Sequence, residues 1–290
     1  MKKTITIPAI IASIIIGYLL ALAGSQGSEE FNGLSLFAVC ASVSYLMHWL
    51  IFIPSYAFQT EHYFDLTGTL SYLSALAVGF YLNPTSDPRD ILIGLLITIW
   101  AVRLGSFLFL RIKKDGKDKR FTIMKTEFVF FLMTWTIGGL WVFLTMAAGL
   151  AAITSNETVP LGMPALVGLT LWIFGFTIEI VADKQKRDFK KDTSQENEFI
   201  TSGLWAWSRH PNYFGEITLW AGLTLIALPV LSGWQLCTLI SPFFVYILLT
   251  RISGIPLLEN RAIKKWGSDP EYISYLERTP ALMMKKPRSN

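Results

Sequence analysis

The sequence predicts an all-α, polytopic transmembrane bundle of seven to eight helices with both termini in the cytoplasm, and three observations carry that prediction. The first is composition. Of 290 residues, 52% are hydrophobic and only 16% charged, where a soluble domain carries roughly 25% charge, and a chain this short cannot enclose so much apolar sequence in one interior. The second is run length: apolar stretches of about 20 residues, enough to cross a bilayer as a helix, recur along the chain, while no useful length alternates apolar and polar residues. The third is the sidedness of the basic residues. The same composition excludes disorder, a disulfide-stapled secreted fold and a nucleic-acid binder, because the formal charge of +4 rests on only 25 Lys and Arg.

Only helices or a closed barrel satisfy the backbone in lipid, so each apolar run reads as a helix. The first, residues 4–23, follows Lys2 and Lys3 and ends on Ala21-Leu22-Ala23, an arrangement like a secretory signal. Its apolar run exceeds the usual signal core of about 7–15 residues, which favours a retained helix. Residues 34–58 form the second run and the short stretch 66–82 the third. Residues 91–110 form a fourth that contains Arg103. Residues 127–153 and 162–182 are the fifth and sixth. The last two, 213–231 and 235–255, are separated only by Ser232-Gly233-Trp234; read as one broken or re-entrant element, they reduce the count to seven.

Eight spans place the N-terminus, the loops after spans two, four and six, and the C-terminus on one side. There lie 22 of the 25 basic residues: Lys2, Lys3 and those of segments 111–125, 184–209 and 261–288. Arg103 and Arg251 fall inside spans, and Arg89 lies on the opposite side beside Asp87 and Asp90. By the positive-inside rule the basic side is cytoplasmic. No internal repeat, low-complexity tract or soluble linker interrupts the chain, so residues 1–290 read as a single integral membrane domain. Cys40 and Cys237 read as small core hydrophobes, with no disulfide and no metal site.

Ionisable groups within spans are costly and usually line a cavity. The first polar cluster is Gln59-Thr60-Glu61-His62-Tyr63-Phe64-Asp65, between spans two and three. Gln59, Glu61, Tyr63 and Asp65 offer an amide, two carboxyls and a phenol that can polarise or protonate a buried carbonyl; an ordinary polar interhelical loop accounts for them equally well. The second runs from Arg103 through Arg111 to Arg120. Residues 103, 107 and 111 share one helical face; anionic headgroups explain the loop charge but not Arg103, which asks for an anion beside it. The third, Glu179, Asp183, Arg187 and Lys190, forms one polar stripe along span six and its extension.

The fourth cluster is the densest: Gly203-Leu204-Trp205-Ala206-Trp207-Ser208-Arg209-His210-Pro211-Asn212-Tyr213-Phe214-Gly215-Glu216, with Trp220 one turn on. Pro211 suits the first position of a helix, whose free amides can face an anion with Arg209 and His210 adjacent. In the tail, Glu259, Asn260, Arg261, Trp266, Tyr272 and Tyr275 precede Thr279-Pro280 and read as a short amphipathic helix over the cytoplasmic face.

Segment 203–216, with the tail 272–280, resembles the steroid 5α-reductase superfamily, and is most similar to its bacterial branch, a family long known only as a domain of unknown function. Segments 60–68 and 103–120 carry the same likeness, which spans roughly residues 59 to 284 and is most specific over 203–284. The resemblance implies an integral membrane enzyme of the bacterial inner membrane, with its active site open to the cytoplasm. It implies reduction of a carbon–carbon double bond conjugated to a ketone in a steroid-like or other lipophilic enone, with NADPH as cofactor and membrane lipid as surroundings. No Gly-x-Gly-x-x-Gly follows a strand, so the cofactor sits within the bundle. By this likeness Arg103, Arg111, Asp183, Arg187, Lys190, Asn212, Glu216 and Trp220 are cofactor-side residues, and Arg120, Arg209, His210 and Tyr213 of the same segments are placed with them. Glu61 or Asp65 meets the substrate carbonyl, with Gln59 beside them. Where the mammalian reductases use a proton-donating tyrosine this chain has Trp100, so Tyr63 or another tyrosine must substitute; Glu179 stands where the family has an Asn. Isoprenylcysteine carboxyl methyltransferases share the Arg-His-Pro-x-Tyr motif and spaced tail tyrosines, which makes an S-adenosylmethionine-dependent methyltransferase the alternative. Segments 59–68 and 103–120, with Asp183 and Lys190, favour the reductase. A transporter or scaffold predicts polar residues spread across the membrane or related halves, and the sequence has neither. The oligomeric state is left open.

Overall fold

A helix that is apolar on every side belongs in the middle of a bundle, and α5 (Phe128–Ile153) is that helix: 89% of its membrane-length window is buried. The computed structural model describes residues 3–84, 87–115, 121–192 and 198–287. Its contacts group the chain into two units, Met1–Ala165 with Thr224–Ser241, and Leu166–Leu223 with Pro242–Asn290. In the first unit, α1 (Lys3–Gly24), α2 (Leu36–Ala57), α3 (Phe64–Leu82) and α4 (Pro88–Asp115) each pack on α5. Glycines admit the closest neighbours: a Cβ on Gly139 would come within 3.0 Å of the α2 backbone at Tyr45. The outward residues of α1, among them Ile11, Ile15, Tyr18 and Leu22, are exposed, as a lipid-facing helix requires.

One local element escaped the sequence reading, which found no strands. Between α1 and α2, β1 (Glu30–Phe31) and β2 (Leu34–Ser35) form an antiparallel hairpin. Asn32 and Gly33 turn it with φ of 52° and 77°, the left-handed pair that an Asn-Gly hairpin turn needs. Each strand is two residues long, too short to show an alternating pattern.

Among the described residues, seven helical segments are long and apolar enough to cross a membrane, and the bundle is all-α as expected. The reduction from eight comes from a different place than anticipated. The last two runs stay separate, as Pro211–Val230 and Gly233–Trp266. It is α3 that falls out: 19 residues make it about 28 Å long, but Asp65, Thr67, Gly68, Thr69 and Ser71 lower its hydropathy. The final segment is itself irregular, passing from a 3-10 stretch (Gly233–Leu239) through α8 (Ile240–Ile247) and a π turn (Leu248–Ile252) to α9 (Ile255–Trp266). Cys40 is buried as expected, whereas Cys237 is exposed on the 3-10 stretch.

Arg89, the basic residue that broke the sidedness pattern, is 1% exposed. Its guanidinium donates to the carbonyls of Ile226, Val159 (3.0 Å) and Pro160 (3.1 Å), so it closes chain ends within the first unit.

In the second unit, α6 (Met163–Phe189) and α7 (Pro211–Ala227) run antiparallel at backbone contact. A Cβ on Gly175 would lie 2.5 Å from the Gly215 carbonyl, and one on Gly222 would lie 2.5 Å from that of Gly168. Small residues at such crossings are how membrane helices gain close van der Waals packing. The amphipathic tail expected from sequence is two helices, α9 and α10 (Pro270–Arg278), with Tyr272 and Tyr275 buried against Phe199 at ring separations of 4.9 and 5.8 Å.

Candidate functional site

On α3, Asp65, Thr69 and Tyr72 follow one another at helical spacing and share a face. With Trp100, Ala101, Leu104, Gly105 and Leu108 of α4 and Trp141 of α5 they line a cleft of about 10 Å³, the room of a single water. The Tyr72 ring is 1% exposed and stands edge-on to two indoles, 5.4 Å from Trp100 and 6.0 Å from Trp141. Gly105 is required where α3 and α4 touch, since a Cβ there would overlap the Thr69 hydroxyl. The polar lining therefore comes from α3 and the flat apolar lining from α4 and α5.

Of the four residues expected at a substrate carbonyl, the structure brings only Asp65 to this cleft. Glu61 is buried in an ion pair with Lys125, Nζ to Oε2 at 2.6 Å. Tyr63 is 51% exposed. Gln59 is exposed, its backbone at φ 50° and its amide donating to the Tyr56 carbonyl at 2.7 Å. Arg103 is half-buried with its guanidinium 5.6 Å from the Phe107 ring. The side chain of Arg111 and all of Arg120 lie outside the described residues. The phenol that sequence reasoning missed is Tyr72, whose ring packs edge-on against Trp100. Its seven-residue spacing from Asp65 was the available signal. Lys125, read as loop charge, was the other omission.

In the second unit, the turn Gly203–Ala206 is fastened to α6. The Gln185 side chain accepts from the Leu204 amide at 2.9 Å, and the Trp205 indole N–H donates to the Ala182 carbonyl at 3.0 Å. Gly203 adopts φ 60°, and a Cβ there would sit 2.5 Å from the Gln185 amide. The helix expected to open at Pro211 does so. Asn212 donates to Asp183 at 3.1 Å, joining α7 to α6. Glu179 is buried, Asp183 and Glu216 half-buried and Trp220 fully enclosed, while Arg187 and Lys190 are exposed.

Arg209, expected beside the cofactor, is occupied otherwise. Its Nε and Nη2 donate to one Glu259 oxygen at 2.9 and 2.7 Å, and its Nη1 donates to the carbonyls of Leu276 (2.9 Å) and Thr279 (2.6 Å). It is the fastening of the tail. His210 is 5% exposed, with Nε2 3.4 Å from the same carboxylate and its ring stacked on Tyr213 at 5.5 Å. A carboxylate acceptor there selects the Nε2–H tautomer. Burial holds the His210 imidazole below its ordinary value, and the bond to Glu259 offsets only part of that.

Fold and site define a polytopic helical membrane protein with an aromatic-walled, polar-edged cleft in one unit and an interlocked charged cluster in the other. A family model described as "Protein of unknown function (DUF1295)" matches residues 51–279, and the chain belongs to that family. The 3-oxo-5-alpha-steroid 4-dehydrogenase 1 of Bos taurus is 30% identical over 86 residues, which is 30% of this chain and 32% of that protein. The chain thus aligns with about a third of the length of that curated relative. Together the two matches support membership of the steroid 5α-reductase-like superfamily.

Proposed function

We propose that this protein is a membrane-embedded, NADPH-dependent reductase that saturates a carbon–carbon double bond conjugated to a ketone in a flat, lipophilic, steroid-like substrate. The observation that supports the reading is the family match together with the lining of the first unit's cleft, where Asp65, Thr69 and Tyr72 offer polar groups for one oxygen beside two indoles, in a space that holds one water rather than a ring system. The second unit carries a polar set compatible with a dinucleotide, in which the bonded pair Asn212 and Asp183 would exchange part of its own contact for ribose hydroxyls. The basic segments 111–125, 184–209 and 261–288 support a cytoplasm-facing cofactor site in a bacterial inner membrane.

When bound, NADPH supplies the hydride that the β-carbon of the enone receives. The chain's own work is at the other end of the conjugated system. A tyrosine phenol, with an ordinary pKa near 10, stays protonated at neutral pH, so Tyr72 can donate to the carbonyl oxygen. Negative charge gathers on that oxygen as the enolate forms, and a donor in a dry cleft acts more strongly on it than water would. Tyr72 keeps its proton and only hydrogen-bonds the oxygen, while Asp65, about two turns away on the same helical face, can accept a hydrogen bond from the water that protonates the α-carbon. The α-carbon then takes a proton from water, and hydride and proton together complete the saturated bond. Glu61, held by Lys125, fixes the turn that begins α3.

The test is binding to the purified protein in neutral-lipid nanodiscs. NADPH is expected to bind and to be consumed when a Δ4-3-ketosteroid is added. Binding of S-adenosylmethionine alone would replace this reading with the methyltransferase one.

A further inference from the structure

Among the described residues, the exposed cations Arg187 and Lys190 make no side-chain hydrogen bond or ion pair. Lys186, beside Arg187 on the same helix, is different. Lys186 leaves α6 half-buried, and its ammonium rests 4.3 Å from the centre of the Trp205 ring. That ring cannot move away. Its indole N–H is bonded to the Ala182 carbonyl at 3.0 Å, and its backbone carbonyl accepts from the Tyr275 hydroxyl at 2.7 Å. An aromatic face attracts an ammonium through the ring quadrupole but accepts none of its three N–H bonds. Among the described residues no carboxylate or carbonyl lies within bonding reach of Lys186 Nζ; its charged neighbours are Asp183, Lys190 and, at the start of α7, His210. Asp183 is engaged by Asn212. A fixed, partly desolvated ammonium with unfilled donors is a site prepared for an anionic oxygen.

We propose that Lys186 is a phosphoryl-binding residue, its ammonium taking an oxygen of the nucleotide's phosphates. This rests on the reading of NADPH as cofactor, and it assigns the phosphate contact to a residue that neither the dense motif nor the charged stripe singled out. The same chemistry could be supplied by the phosphate of a lipid headgroup, so the experiment has two arms. In the first, wild-type protein, K186M and K186R are titrated with NADPH in phosphatidylcholine nanodiscs. Methionine keeps the cover over Trp205 without the charge, and arginine keeps both. The expected result is an affinity for NADPH about tenfold or more weaker in K186M, largely restored in K186R, with a ligand-free melting temperature unchanged or raised in K186M because a cation without an acceptor has been removed. In the second arm the melting temperatures are compared with and without phosphatidylglycerol in the nanodisc.

Selective loss of NADPH binding in K186M assigns the phosphoryl group to the nucleotide. Equal NADPH binding, with phosphatidylglycerol stabilising the wild type but not K186M, assigns it to a headgroup. If K186M matches wild type in both arms, or is merely less stable and is not rescued by arginine, the proposal is overturned while the reductase reading stands. If wild type binds no NADPH, the reductase reading fails and the lipid arm still decides whether Lys186 holds a phosphoryl group.

Discussion

The polar residues that line the first unit's cleft stand in a row along one helix, whereas those of the second unit's cluster bond chiefly to one another. Asp65, Thr69 and Tyr72 ascend α3 opposite indole and leucine walls. Arg209 and Glu259, by contrast, form a fork that also gathers His210 and ties down the residues after α10, and Asn212 closes on Asp183. The contrast separates two meanings of a dense run of motif residues. A crowded stretch such as 203–216 holds its own loop and tail in place as much as it presents groups to a ligand. A sparse helical row of three residues instead lines one small cleft from a single side.

The sharpest way to break this comparison is Tyr72→Phe. The ring and its two indole contacts survive, so stability is expected to change by no more than about 1 kcal/mol. The rate of enone reduction should fall by about 10² or more, the usual worth of a positioned hydrogen-bond donor to the developing oxyanion. Full turnover by Y72F would show that the cleft is not where the carbonyl is held.

The second unit should respond in the opposite sense. Arg209→Ala leaves Glu259 and two carbonyls without their donor, and is expected to cost about 2–4 kcal/mol of stability. The thermal transition should fall, and limited proteolysis should find α10 and the segment after it. Arg209→Lys keeps the charge but not the planar fork, and belongs between the two. A wild-type melting temperature and protease pattern in R209A would show that this fork does not hold the tail.

What was legible in the sequence follows the same division. Bundle class and the helical runs were readable because hydropathy is summed over about 20 residues and tolerates local error. Arg89 looked like an ordinary loop charge because a sidedness count cannot distinguish a solvated guanidinium from one closing three carbonyls. Tyr72 is hard to see in the sequence because the densest polar run lies before α3, while the helical repeat that leads to it begins inside that run at Asp65. The bonds of Arg209 were not legible for a deeper reason: its partners, Glu259, Leu276 and Thr279, lie 50 or more residues away, and no local spacing announces them. The Gly168, Gly175, Gly215 and Gly222 set was likewise invisible singly, although both pairs repeat at seven residues.

That glycine crossing supplies the next test. Gly215→Ala places a methyl where α6 backbone already stands, and overpacking of this kind costs about 1–3 kcal/mol. Gly33→Ala in the hairpin turn meets nothing within 4 Å and carries only the strain of its φ of 77°, so it should cost less. If both variants melt together with wild type, the helices are not in backbone contact.

The smallest expected effect probes the centre of the interlocked cluster by pH. Burial lowers the His210 pKa in the folded protein, while in the unfolded chain an imidazole titrates near 6.5. Below that value the unfolded chain binds a proton that the folded chain refuses, so stability rises with pH through the window. His210 therefore contributes its full share above about pH 6.5 and loses it as the medium is acidified toward the lower, folded value. A single proton limits the slope to about 1.4 kcal/mol per pH unit. His210→Gln keeps a donor for Glu259 but has nothing to titrate, so its melting temperature should fall less on acidification between neutrality and pH 5. Tyr272 and Tyr275 supply the opposite sign at the alkaline end. Burial raises both phenols, so the unfolded chain loses its protons first and stability declines as pH rises above about 10. A wild-type melting curve that is flat from pH 7 to pH 5 would mean that water reaches His210, and that the cluster is more open than its hydrogen bonds imply.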